Sequence, residues 1–497
     1  MTPFSTGLLI YAAAVLTVGL LAARKRRDGG AEEYFLAGRG LGTLVLFMAL
    51  FGTNATPFVL MGVPGQAYRD GLGIFSLNAP IVALGIPLSF WAIGAPARRR
   101  ARELGALTPA ELYSRALGSP WVGRLLVLFF TAYTLPYMVT SIRGAAVALE
   151  IGSGGTLDPE WGALGVLTLA VVYTSLGGMR ATAWTNVLQG FLFLSFMVVG
   201  GVLFARGVGA EGAAETASIS GAMQRLAAER PDLLSIGEGG LFAPKAWASW
   251  GLAISLTVVA FPHMFARLLA ADSDRSLKRI CLLYPGALAL LWVPAVCIGA
   301  WGALAFPGLE GRASDGIFPL MVERFLPPTW QALGFIAVLA AVMSTLDAML
   351  LTLGSMVTRD LLPRPADQAA AERRDVVLGR WLSLGFAVLV YLLWRFAPQS
   401  IYALASVAFS GYVCLVPTLL LGVRWRRFDA RAGIGSLLVG NGVYFAALAS
   451  GGGLNAAMQP GWGGFLPVVW GCGAGLAAGL LLGSLGPRAN AKATAAA

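Results

Sequence analysis

Apolar runs of about twenty residues recur along almost the whole chain, and they leave few folds open. TGLLIYAAAVLTVGLLAA (6–23) is one, and GFIAVLAAVMSTLDAMLLTLGSM (334–356) is another. A bilayer core of ~30 Å takes ~20 predominantly apolar residues per helical crossing. The 12% charged content lies far below the ~25% of soluble domains. The chain therefore reads as an all-α polytopic membrane protein. About 13 helices are predicted, near 6–23, 42–66, 74–97, 121–150, 160–178, 182–205, 247–270, 280–305, 331–358, 379–396, 400–423, 432–450 and 463–484.

The net charge of +11 could suggest a nucleic-acid partner, but the placement of the charge argues against one. By the predicted spans, 26 of the 36 Lys and Arg fall in one alternate set of loops and in the tail, among them the runs at 24–27, 98–102, 272–279, 364–375 and 424–431. That is the positive-inside pattern. It puts those loops in the cytoplasm, the N-terminus outside and the C-terminus inside, as in a multi-pass plasma (inner) membrane protein. The first apolar run is followed, not preceded, by ARKRR, so it reads as a retained helix rather than a signal peptide. The four cysteines sit in predicted spans without metal-ligand spacing, and His263 is the sole histidine. No nucleophile–base pair or metal cluster emerges, so an enzyme is not expected. Nothing in the sequence fixes an oligomeric state.

Two spans are interrupted. LFMALFGTNATPFVLMGVPG (46–65) carries Gly52, Asn54 and Pro57, and AISLTVVAFPHMFARLL (253–269) carries Pro262. Each opens a block of five predicted helices, 42–205 and 247–424. Transporters with inverted repeats place broken helices this way and expose backbone carbonyls at the midplane. The segments 1–41, 206–246 and 425–497 are then an N-terminal helix with its basic loop, an outer loop, and two further helices with a short tail.

Four polar clusters lie inside the spans: Gly52–Thr56; Tyr133, Tyr137 and Arg143; SLGGMRATAWTNVLQ (175–189); and Ala341, Ser344, Thr345 and Asp347. Ala341, Ser344 and Thr345 share one helical face by their i, i+3, i+4 spacing. Two hydroxyls and a carbonyl there, with carbonyls freed at a broken helix, would suit a hard cation such as sodium. The same hydroxyls would also serve helix–helix packing. Asp347, three residues past Ser344, would cost about 2.5–3.5 kcal/mol if it faced lipid at the membrane centre.

Four motifs carry a resemblance. AAVMSTLDAMLLTLGSMVTRDL, GGMRATAWTNVLQ, FGTNATPFVLMGVPG and FPHMFARLLAADS resemble motifs of the sodium/solute symporter family, in the family's order across essentially the whole chain. The resemblance implies a LeuT-type five-plus-five inverted repeat with one helix before it and two after. It also implies a sodium (Na+) site at Gly52, Ala55, Ala341, Ser344 and Thr345, and a small-molecule substrate near Thr53, Asn54, Thr56 and Tyr137.

The chain departs from the family at the signature acid, where Thr185-Asn186 stands for the usual Thr-Asp, while Asp347 replaces a usual serine. Asp347 with Asn186 and Ser344 is thus a candidate second cation or proton site, or a hydrogen-bonded neutral group. Asn54, Pro57 and Ile254 depart from the proline-transporting branch, which disfavours proline. Arg143 could attract a carboxylate, or snorkel or pair with Glu150. The expected function is sodium-coupled symport of a small polar metabolite or organic anion. The rivals are a proton-coupled transporter using Asp347 and a transporter-like membrane sensor.

Overall fold

The computed structural model describes residues 2–24, 30–56, 58–212, 216–396 and 401–486; the expectation attached to Pro57 falls outside them. The described residues are overwhelmingly helical. Ten helices are long and apolar enough to cross a membrane, or up to twelve if each of two bent pairs is one span.

In chain order, α1 is Pro3–Arg24, and α2 (Thr43–Asn54) with α3 (Phe58–Asp70) forms the first bent pair, at 50°. Then come α4 (Gly73–Leu104), the short α5 (Pro109–Ala116), α6 (Pro120–Gly152) and α7 (Pro159–Ala210). After α8 (Ile219–Glu229), α9 (Pro244–Ala260) and α10 (Pro262–Leu269) form the second bent pair, at 53°. They are followed by α11 (Asp274–Ala305), α12 (Ile317–Phe325), α13 (Pro328–Leu361) and α14 (Gln368–Phe396). The last are α15 (Leu404–Arg424), α16 (Ala430–Ser450) and α17 (Pro467–Leu485).

The 52 residues of α7 span about 78 Å at 1.5 Å per residue, more than twice a bilayer core. The helix breaks at Gly178 (φ 56°, ψ −146°), inside the GGMR junction. Only glycine fits there, because a Cβ would stand 2.3 Å from the Tyr34 carbonyl oxygen. Two residues on, Arg180 makes a two-pronged ion pair with Glu33, at 2.6 and 3.1 Å, on the short helix Ala31–Leu36. The junction is thereby fixed at the basic end of the molecule.

The same end carries a second buried ion cluster. Thr108 caps α5 through the Glu111 N–H at 2.9 Å. Glu111 in turn accepts two hydrogen bonds from Arg359, at 2.8 and 3.0 Å, and Arg359 also reaches Asp375 at 2.8 Å. Burial pushes the Glu111 carboxyl up, but Arg359, the Leu107 N–H and Arg115 outweigh it and hold the group below the usual carboxylate range.

At the centre stands α13, whose most apolar stretch is wholly buried. Every residue from Gly334 to Met356 is buried against α1, α2, α6, α7, α10, α12 or α14. Asp347 therefore does not face lipid, and the cost of a lipid-exposed carboxylate does not arise.

Candidate cation and substrate sites

The C-terminal turn of a helix leaves its last carbonyls without intrahelical partners. In α2 these include Gly52 and Thr53, and Ala55 follows with φ −80° and ψ 73°, off the helical ladder. Facing them is the Ala341–Ser344–Thr345 face of α13. The Ser344 hydroxyl lies 2.9 Å from both the Gly52 and the Ala341 carbonyl oxygens. The Thr345 hydroxyl lies 3.1 Å from the Thr53 carbonyl and 3.2 Å from that of Ala341. Gly52 permits this approach from the α7 side as well, since a Cβ there would meet the Asn186 carbonyl at 3.3 Å. Carbonyl and hydroxyl oxygens thus gather between two helices, the donor chemistry that hard cations take.

Asn186 sits on the flank of this group. Its amide donates to the Thr53 hydroxyl at 3.0 Å and to the Ser344 carbonyl at 3.1 Å. The Thr53 side chain, expected among the substrate residues, donates to that same carbonyl at 3.1 Å and so joins the network of Asn186 and Ser344.

Asp347 turns elsewhere. The Tyr173 hydroxyl donates to its Oδ2 at 2.8 Å, and Arg267 Nη2 stands 3.8 Å from its Oδ1, with both charged side chains fully buried. The Pro262 break aims α10, and with it Arg267, at this point. Arg267 Nη1 donates to the Ala49 carbonyl of α2 at 2.6 Å. Of the expected group of Asp347, Asn186 and Ser344, the Asn186 amide reaches the Ser344 carbonyl, while Asp347 takes its hydrogen bond from Tyr173. Removing one member of a buried ion pair such as Arg267–Asp347 typically costs about 3–5 kcal/mol. The sequence analysis gave Arg267 no role; a buried carboxylate's need for a counter-charge, and the one Arg among apolar residues in FPHMFARLL, was the available signal.

The substrate candidates separate into two places. The Tyr137 hydroxyl donates to Thr56 at 3.0 Å. Asn54, Tyr137 and Ile254 line a cavity of about 20 Å³ between the two bent pairs, room for little more than one water. Phe261 and His263 stack beside Tyr137, their rings 5.2 Å apart and 18° from parallel. Arg143 instead lines a vestibule of about 580 Å³ with Glu150, Asp315 and Arg395. Arg143 and Glu150 thus share one cavity, apart from Tyr137.

Paired broken helices around a polar centre, inside a bundle of apolar spans, define a secondary transporter rather than an enzyme. A model of the sodium:solute symporter family matches residues 34–440, and the chain belongs to that family. It is 30% identical to the sodium/pantothenate symporter of Escherichia coli over 457 residues, 89% of this chain and 90% of that protein. It is 26% identical to the sodium/proline symporter of Salmonella typhimurium, covering 88% of this chain and 86% of that one. Its fold matches a Na+-coupled sialic acid symporter in a substrate-bound outward-open state with a TM-score of 0.78, at 18% identity over 98% of both chains. The fold is accordingly LeuT-type, the ion is sodium and the co-transported partner is a small molecule.

Proposed function

We propose that this symporter imports a small carboxylate-bearing metabolite together with sodium by alternating access. Sodium is held by the carbonyls of Gly52, Ala55 and Ala341 and the hydroxyls of Ser344 and Thr345. The observation that carries this is the approach of the Ser344 and Thr345 hydroxyls to carbonyls on two different helices, at 2.9–3.2 Å. Thr53 adds a carbonyl to the same edge.

The substrate class rests on two supports. The symporters similar to this chain are named for pantothenate, proline and sialic acid, each of which carries a carboxylate. Arg143 in the vestibule offers a cation to such a group before it reaches Asn54, Thr56 and Tyr137. The small central cavity must widen to accept it, which is the opening step of alternating access.

The repeats are proposed at 42–205 and 247–424. Counting α7 as two crossings and each bent pair as one gives an odd number, which puts the termini on opposite sides, and the positive-inside pattern then puts the N-terminus outside. The clustered Arg98–Arg102, Arg115, Arg180 and Arg359 end then faces the cytoplasm of a bacterial-type inner membrane.

The test is uptake into proteoliposomes of a panel of radiolabelled small carboxylates, with an inward sodium gradient or with potassium. Sodium-dependent uptake of a carboxylate is expected, with Ser344→Ala raising the sodium concentration for half-maximal rate at least tenfold. Uptake confined to uncharged or cationic solutes would reject the substrate class. An unchanged sodium requirement in Ser344→Ala would reject the cage.

A further inference from the structure

We propose that Arg267 is a built-in counter-cation for Asp347, so that the chain couples transport to one sodium ion, the one held between α2 and α13. The proposal rests on the cage described above and assigns the neighbouring charge.

Asp347 and Arg267 are both fully buried, and their charges cancel without a mobile ion. The guanidinium is tethered at both ends, by its place in α10 and by the Nη1 bond to the Ala49 carbonyl at 2.6 Å. An arginine does not lose its charge in proteins, so the counter-cation persists through the cycle. The contact is one of charge rather than of directional bonding. At 3.8 Å it lies beyond hydrogen-bond reach, and Arg267 Nη2 and Asp347 Oδ1 are buried without hydrogen-bond partners.

Two oxygens face the guanidinium, the Ala49 carbonyl at 2.6 Å and Asp347 Oδ1 at 3.8 Å, while on the carboxylate's other oxygen sits the Tyr173 hydroxyl, which also lies 3.4 Å from the Met343 carbonyl. With the guanidinium withdrawn, these groups have the chemistry of a cation site. Arg267 therefore acts as a positioning residue for ion stoichiometry. It bridges α10, α2 and α13, three elements that carry the second break, the first break and the sodium ligands.

The experiment is equilibrium binding of radiolabelled sodium to the purified full-length protein, counted per chain. Wild type, Arg267→Lys and the neutral double variant Arg267→Gln/Asp347→Asn are each expected to bind one sodium. Arg267→Gln alone is expected to bind two, the second lost on adding Asp347→Asn. Two sodium ions on the wild type, or a monodisperse Arg267→Gln that binds one with wild-type affinity, would overturn the proposal. If Arg267→Gln does not fold, the wild-type count still decides, one supporting and two overturning. A wild-type count of one that Ser344→Ala leaves untouched in affinity would overturn the cage and the placing of that ion between α2 and α13, and the counter-cation falls as well if Asp347→Asn abolishes the binding.

Discussion

Thr345 does with one hydroxyl what the end of α2 needs done: it reaches the freed Thr53 carbonyl at 3.1 Å while staying within 3.2 Å of Ala341. Thr345→Ala removes a proposed sodium ligand and leaves a buried carbonyl without its partner, at a cost of about 1–3 kcal/mol. A loss of sodium affinity of at least tenfold is expected by titration of purified protein, with Thr345→Ser close to wild type. Equal affinities in the Ala and Ser variants would remove the hydroxyl from the site.

Tyr137→Phe tests the other half. It deletes the bond to Thr56, so the substrate KM should rise several-fold while sodium affinity stays within twofold. The grouping of Ala341, Ser344 and Thr345 was legible because they are near neighbours on one helix, where spacing fixes the shared face. The partner of Asp347 was not. Arg267 lies 80 positions away in sequence, and where it points depends on a 53° bend that sequence marks only as a proline.

Elements fail or hold at their breaks. The apolar runs located the spans well, since hydropathy alone defines them. The break within α7 was legible too, as a glycine pair between two runs, but its cause was not, because the Tyr34 carbonyl comes from the short helix before α2. Gly178→Ala combines that 2.3 Å clash with a left-handed φ, which by itself costs about 1–2 kcal/mol. A clearly lowered unfolding temperature in detergent is expected, whereas Gly165→Ala, with open space at its Cβ, should change little.

The α5 clamp gives a pH test. Glu111 titrates lower in the folded protein than its unfolded value of about 4.3, so its contribution is full above that pH. It is lost as pH falls through the folded value. Thermal stability followed below pH 5 should therefore drop more steeply in wild type than in Glu111→Gln. Parallel slopes would show that Arg359 does not discriminate the ionised carboxyl.

For the whole molecule, what matters is that the proposed cage joins two elements assigned to different proposed repeats. An ion held only within one repeat would stabilise that repeat and leave their relation unchanged. An ion shared by α2 and α13 favours whichever arrangement keeps them together, and it shifts the equilibrium only by its difference in affinity between arrangements. A ligand at a hundred times its Kd adds about 2.7 kcal/mol to the state that binds it. Sodium, and not potassium at equal ionic strength, should therefore raise the unfolding temperature. It should also slow amide hydrogen exchange at the end of α2 and in the Ala341–Asp347 stretch of α13. The α16–α17 pair, which packs chiefly on itself, should exchange at the same rate in both salts. Protection confined to α13 would mean that the α2 carbonyls are not ligands. Uniform protection of every helix, α16 and α17 included, would mean that sodium acts on global stability rather than through a shared site, and the coupling argument would fall with it.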